Sequence, residues 1–123
     1  MNEDEQAQIQ AAIDGELRLL DPAVRASDEA VRALQEPGFV EFGASGTRWD
    51  ATSILQVTGA VSEEPEGSVE VTRMTGALLT DGVVHLTYHL DYKGRRSNRS
   101  SLWRRHPEAG WRLYFHQGTL TEE

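Results

Sequence analysis

The chain has 123 residues, 38% of them hydrophobic and 26% charged, with a formal net charge of −8 and no cysteine. This composition suits one globular core, read as a single domain over residues 1–123, and argues against a disordered chain. It leaves no disulfide, thiolate metal site or thiol nucleophile, and no apolar run nears the ~20 residues that span a bilayer.

The start, "MNEDEQAQIQ", is acidic and lacks the basic and apolar parts of a signal peptide, so a cytoplasmic location is expected. Ile9, Ile13, Leu17 and Leu20 recur at helical spacing and predict one helix face. Asn2 followed by Glu5 resembles a capping box. The helix should stop at Asp21-Pro22, where Asp21 can cap a short turn with Pro22 at its first position. Ser27 reads as the cap of a further helix, with Asp28 and Glu29 in its first turn, Val31 and Leu34 inward, and Pro37-Gly38 at its end.

"FVEF" (39–42) reads as a short strand and "GASG" (43–46) as a break. Asp50 should cap a short helix carrying Ile54, Leu55 and Val57, closed by Gly59, before an acidic loop, "SEEPEG". From Ser68 the period becomes two. "SVEVTRMTGALL" predicts a strand bent or bulged at Gly76. In "VVHLTYHLDY", Val84, Leu86, Tyr88, Leu90 and Tyr92 share one face, with His85, Thr87, His89 and Asp91 on the other. "NRSSLWRRH" and "WRLYFHQGT" are the last two strands, joined by "PEAG". Helices followed by a meander predict an α+β fold: N-terminal helices packed in the concavity of a strongly bent antiparallel sheet, leaving a cone with an open mouth.

Charge is unevenly spread. Residues 1–70 hold fifteen acids and four arginines, a balance of −11; residues 71–123 hold eight bases and five acids, a balance of +3. The acidic half argues against nucleic-acid binding. "KGRRSNR" (93–99) reads as a solvated hairpin tip.

The run "IQAAIDGELRLLDPAVRASDEAVRALQEPGFVEFGASGTRWD" and the close "SSLWRRHPEAGWRLYFHQGT" resemble the nuclear transport factor 2-like superfamily, in the branch of SnoaL-like cyclases and ketosteroid isomerases. The likeness is strongest to small bacterial members of unassigned function, and it covers nearly the whole chain. It implies a cone whose inner walls carry any catalytic groups, and recurrent homodimers. It implies no reaction, because this fold hosts isomerases, dehydratases, cyclases, hydrolases and plain binding modules. Where many relatives carry a histidine six residues after the strand's tryptophan, this chain has Gln117 after Trp111, and His116 is one residue off.

Strand parity puts Trp111, Leu113, Phe115, Gln117 and Thr119 on one face, assigned to the cone interior, with Arg112, Tyr114 and His116 outside. The expected ligand-binding residues are Trp49, Tyr88, Trp103, Phe115 and Gln117; the ordinary reading of the aromatic ones is core. Glu41, between Phe39 and Phe42, is the candidate catalytic base, because an apolar setting raises a carboxylate's pKa. Its ordinary reading is a buried structural carboxylate paired with an arginine such as Arg73 or Arg99, or one reaching backbone amides of the glycine turn. The histidines of "VVHLTYHLDY" read as outer-face groups, a His89–Asp91 metal or base pair being the functional alternative. No metal and no cofactor are expected.

Three functions stay open. One is a cone binding a small, mostly apolar molecule. The second is a cofactor-free lyase or isomerase using Glu41. The third is an acidic interaction module of the inhibitor or immunity type, steered by the acidic half. A homodimer through the outer sheet face, no nucleic acid and no membrane complete the expected partners.

Overall fold

The computed structural model describes residues 3–55 and 69–121. Among these are three helices, α1 (Glu3–Leu20), α2 (Pro22–Arg25) and α3 (Asp28–Leu34). Six strands follow: β1 (Gln35–Phe42), β2 (Arg48–Asp50), β3 (Val69–Thr80), β4 (Val83–Tyr92), β5 (Arg95–His106) and β6 (Gly110–Leu120). They form one sheet in the order β2-β1-β6-β5-β4-β3. α1 lies against β3, β4 and β6, and α3 against β1 and β6, giving the α+β fold its helical layer. None of the helices is long and apolar enough to cross a membrane.

Local sequence chemistry sets the helix ends. Asp21 accepts the Ala23 backbone N–H at 2.9 Å, and Ser27 Oγ accepts that of Ala30 at 3.2 Å; each satisfies a donor that the helix itself cannot. Asp50 accepts from Thr52 and Ser53 at 3.0 and 2.8 Å, so it caps the turn leading to buried Ile54 and Leu55. Asn2, Val57, Gly59, Ser68 and the "SEEPEG" segment lie outside the described residues. Lys93 and Gly94, at φ 52° and 84°, make the two-residue link from β4 to β5, the paired positive φ that a tight hairpin uses.

Three features depart from the sequence reading. The pairing of β1 with β6 is parallel, so the sheet is mixed. Pro37-Gly38 does not separate helix from strand: β1 begins at Gln35, and its pairing with β6 is irregular between Gln35 and Val40, where proline has no N–H to give. The buried stripe of α1 is also rotated. It holds Gln8, Ile9, Ala12, Gly15, Glu16 and Leu19, while Leu17 is exposed. Beside Ile9 and Leu19, the helix turns the small residues Ala12 and Gly15 to the sheet, because large sheet side chains occupy the space beneath them.

Gly15 shows why. A Cβ built there would lie 2.6 Å from Cη2 of Trp103, whose ring is fully buried. Gly76 likewise leaves room for Ile9, whose Cγ2 would meet an added Cβ at 2.5 Å. Trp103, Leu86, Val84, Phe39, Val31 and Leu34 fill the core around these contacts. Gly15→Ala therefore sets helix propensity, about 1 kcal/mol in favour of alanine, against overpacking of about 1–3 kcal/mol. The expected result is a net loss of about 1 kcal/mol, read as a lower urea midpoint with unchanged slope. A stabilised variant would show that Trp103 does not press on the helix.

Candidate functional site

The inner face of the sheet carries a chain of buried polar groups. Glu16, on α1, is nearly inaccessible to solvent. Its Oε2 accepts the Tyr88 hydroxyl at 2.5 Å and its Oε1 accepts Trp103 Nε1–H at 2.8 Å. Both partners sit on inward positions, of β4 and β5 respectively, placed there by alternation. Burial, and then the Glu16 charge, push the Tyr88 phenol well above its ordinary pKa, so it stays a donor.

His116 stands beside this group. Its Nδ1 is 2.6 Å from Ser101 Oγ and 3.6 Å from Glu16 Oε2, and its Nε2 is 3.4 Å from a guanidinium nitrogen of Arg99. Arginine has only donors. In the neutral ring, Nε2 therefore takes the acceptor role and Nδ1–H is directed to Ser101. The serine is fully buried and meets Nδ1, which makes it a fixture for the ring rather than an exposed nucleophile.

The position of His116 corrects the parity reading of β6. Leu102 is opposite Phe115, yet Trp103 is opposite Leu113, so Tyr114 is an extra residue bulged out of the ladder. A bulge reverses the alternation beyond it. Leu113 faces inward before it; His116 and Gly118 face inward after it. Gln117 is exposed, and Phe115 packs edge-to-face on Phe42 at 5.6 Å.

A cavity of about 390 Å³ opens beside these groups, between α1, α2, the β1–β2 hairpin and β4–β6. Glu41, Trp49 and Tyr88 stand on its wall; Trp103, Phe115 and Gln117 do not. Trp103 is core because α1 covers it, and the other two were moved to the far face by the bulge. The wall combines apolar side chains such as Leu20, Leu90 and Leu113 with Arg25, Arg95 and Arg99. It is therefore more charged than the sequence suggested, and the basic "KGRRSNR" run is not wholly a solvated tip. Arg99 crosses the sheet over Gly118, where an added Cβ would sit 3.1 Å from its Nε.

Glu41 lies opposite His116 in the parallel pair and opposite Trp49 in the antiparallel one. Its charge attracts Arg25, whose pKa is lowered first by burial and also by Arg99, with Glu41 pulling the other way. The sequence-level pairing of Glu41 with Arg73 or Arg99 is not among the ion pairs of the described residues. On the outer face, His85 bonds to Ser100 at 2.8 Å, and Asp91 accepts from Gly94 and Arg96 at 2.8 and 3.3 Å. That carboxylate is engaged in the hairpin.

Two residues of this site escaped the sequence reading. Glu16 looks like any solvent-facing helix carboxylate, and its only signal was its place beside the small residues Ala12 and Gly15. Strand parity alone puts His116 on the outer face, and nothing local announces the bulge that turns it inward.

The fold is that of the nuclear transport factor 2-like proteins. An NTF2-like protein from Cytophaga hutchinsonii superposes with a TM-score of 0.73 at 14% identity, over 98% of this chain and 100% of that one. An NTF2-like protein of unknown function in nutrient uptake from Rhodospirillum rubrum gives 0.72 at 14% identity, over 89% and 97%. A cystatin-like fold protein from Burkholderia xenovorans gives 0.72 at 19%, over 99% and 95%. No family profile and no curated protein matches the chain.

Removing Glu16 should distinguish hydrogen bonding from charge. In Glu16→Leu both buried donors lose their acceptor, at about 1–3 kcal/mol each. Glu16→Gln keeps an oxygen for Trp103 and offers an N–H to the Tyr88 oxygen, so it should cost less than half as much in chemical denaturation. Equal losses would mean that the negative charge itself is what the site requires.

Proposed function

We propose that this chain is a small-molecule-binding protein whose ligand enters the cone between the helices and the sheet. The observation that carries the reading is the cavity of about 390 Å³, whose wall combines apolar side chains with convergent charged and polar groups, within the ~300–1,000 Å³ range of ligand pockets. The base of the cavity is held in place by the bonds of Tyr88 and Trp103 to Glu16, so it needs little reordering on binding. Prodan, a neutral naphthalene dye, should gain blue-shifted emission with the native protein. Leu20→Trp, which fills the cavity from α1, should remove that gain without changing the circular dichroism. Unchanged dye emission with the native protein would contradict the reading.

A second reading, a cofactor-free lyase or isomerase, draws support from the bulge in β6. It sets His116, a group able to carry a proton near neutral pH, next to Glu41 on the inner face. Glu41→Gln should then abolish proton exchange at carbon next to a ketone carbonyl, followed by deuterium incorporation, with the melting temperature preserved. If the variant unfolds instead, the carboxylate is structural.

The same proposal extends to a second copy of this chain on the outer sheet face. Arg104 lies over the Tyr114 ring at 4.2 Å, beside the Phe42–Phe115 pair, and exposed arginine and aromatic groups of this kind are common at interfaces. Sedimentation should give a dimer at micromolar concentration and a monomer for Tyr114→Asp. A monomer for both would refute the dimer.

A further inference from the structure

We infer that the molecule taken into the cavity carries a carboxylate, seated between the guanidinium groups of Arg25 and Arg99. The inference rests on the ligand-binding reading above and names the chemical class of its ligand.

Both arginines line the same cavity, yet neither is closed onto a carboxylate by a hydrogen bond among the described residues. Arg25 gives one bond to the Leu19 carbonyl at 3.2 Å, and its buried Nε–H has no partner among those residues. Arg99 gives one bond to the Ser97 hydroxyl at 2.8 Å and lies 3.4 Å from Nε2 of His116. Three other sheet arginines are answered by carboxylates, Arg104 by Glu36, Arg105 by Asp81 and Arg96 by Asp91, while Arg112, like Arg25, keeps a buried Nε–H without a partner among the described residues. Burial is the main reason why Arg25 holds its proton less tightly than usual, and repulsion from Arg99 adds to it against the attraction of Glu41. An anion placed between them would supply acceptors and relieve that repulsion.

The charge count of the wall selects the kind of anion. Arg25, Arg95 and Arg99 share the cavity lining with Glu16 and Glu41, three permanent positive charges against two carboxylates, with the His116 imidazole beside Glu16. One added negative charge brings the set to balance, whereas a phosphate dianion would overshoot it beside Glu41. A planar carboxylate also matches the guanidinium fork, so that two parallel N–H bonds can form. The apolar part of the same molecule would lie against Leu20, Leu90 and Leu113. The ligand class is therefore a small monocarboxylic acid with an apolar body.

The test uses the full chain at pH 7 and low salt, titrated calorimetrically with 2-naphthoate and with 2-naphthamide, which has the same shape and no charge. The acid should bind about tenfold tighter than the amide or better, the size expected of a charge-assisted pair. Arg25→Gln and Arg99→Gln should each remove most of that preference and leave amide binding within about twofold. Should Arg25→Gln fail to fold, Arg99→Gln decides alone. Equal binding of acid and amide, or prodan binding without naphthoate binding, overturns the carboxylate and leaves the binding reading intact. Failure of dye, acid and amide alike overturns both.

Discussion

A carboxylate placed where water cannot reach it must be answered by hydrogen bonds, or it becomes a cost of several kcal/mol. Glu16 is such a group. Tyr88 and Trp103 answer it from two different strands, at separations of 72 and 87 residues along the chain. These bonds fix the rotation of α1 about its axis, which the apolar residues alone would set differently. Once the helix is so turned, Gly15 must face the Trp103 ring and Gly76 must face Ile9, since any larger residue would collide there. The close approach of α1 to the sheet at Gly15 and the polar base of the cavity are thus two consequences of one constraint.

The bulge at Tyr114 is the second determinant of the site. Without it, a single alternation would carry Gln117 inward and leave His116 outside. With it, β6 delivers Leu113 to the core, His116 to the polar base and Gly118 to the path of Arg99. The parallel pairing with β1 then sets Glu41 beside His116. Acid–base groups and arginines come to share one cavity wall although they are scattered through the sequence. The wall is accordingly mixed in character, with apolar side chains beside positive and negative groups.

Local chemistry was legible in the sequence. The caps at Asp21, Ser27 and Asp50 involve neighbours within three residues. The alternation of Val84, Leu86, Tyr88 and Leu90 needs only a period of two, and with the order of elements it gave the α+β class. What stayed hidden depends on pairing at a distance. A bulge is defined by the strand opposite, so "GWRLYFHQGT" read alone shows no break in its period. A parallel neighbour such as β1 leaves no turn to announce it. Glu16 was invisible because a helical glutamate is ordinarily solvated, and only the distant tyrosine and tryptophan make its burial tolerable. Tyr88 keeps the face that its alternation assigns, and Glu41 and Trp49 reach the cavity wall together because they are paired in the β1–β2 hairpin.

The central claim is that Glu16 gathers Tyr88 and Trp103 beneath α1 with His116 turned inward beside them. Nuclear Overhauser contacts in the labelled protein address it most directly. The account predicts a slowly exchanging Trp103 indole proton, and contacts of the His116 ring with Tyr88 and Ser101. Contacts from the His116 ring to Tyr114 and other outer-face side chains, with a rapidly exchanging Trp103 indole, would contradict it.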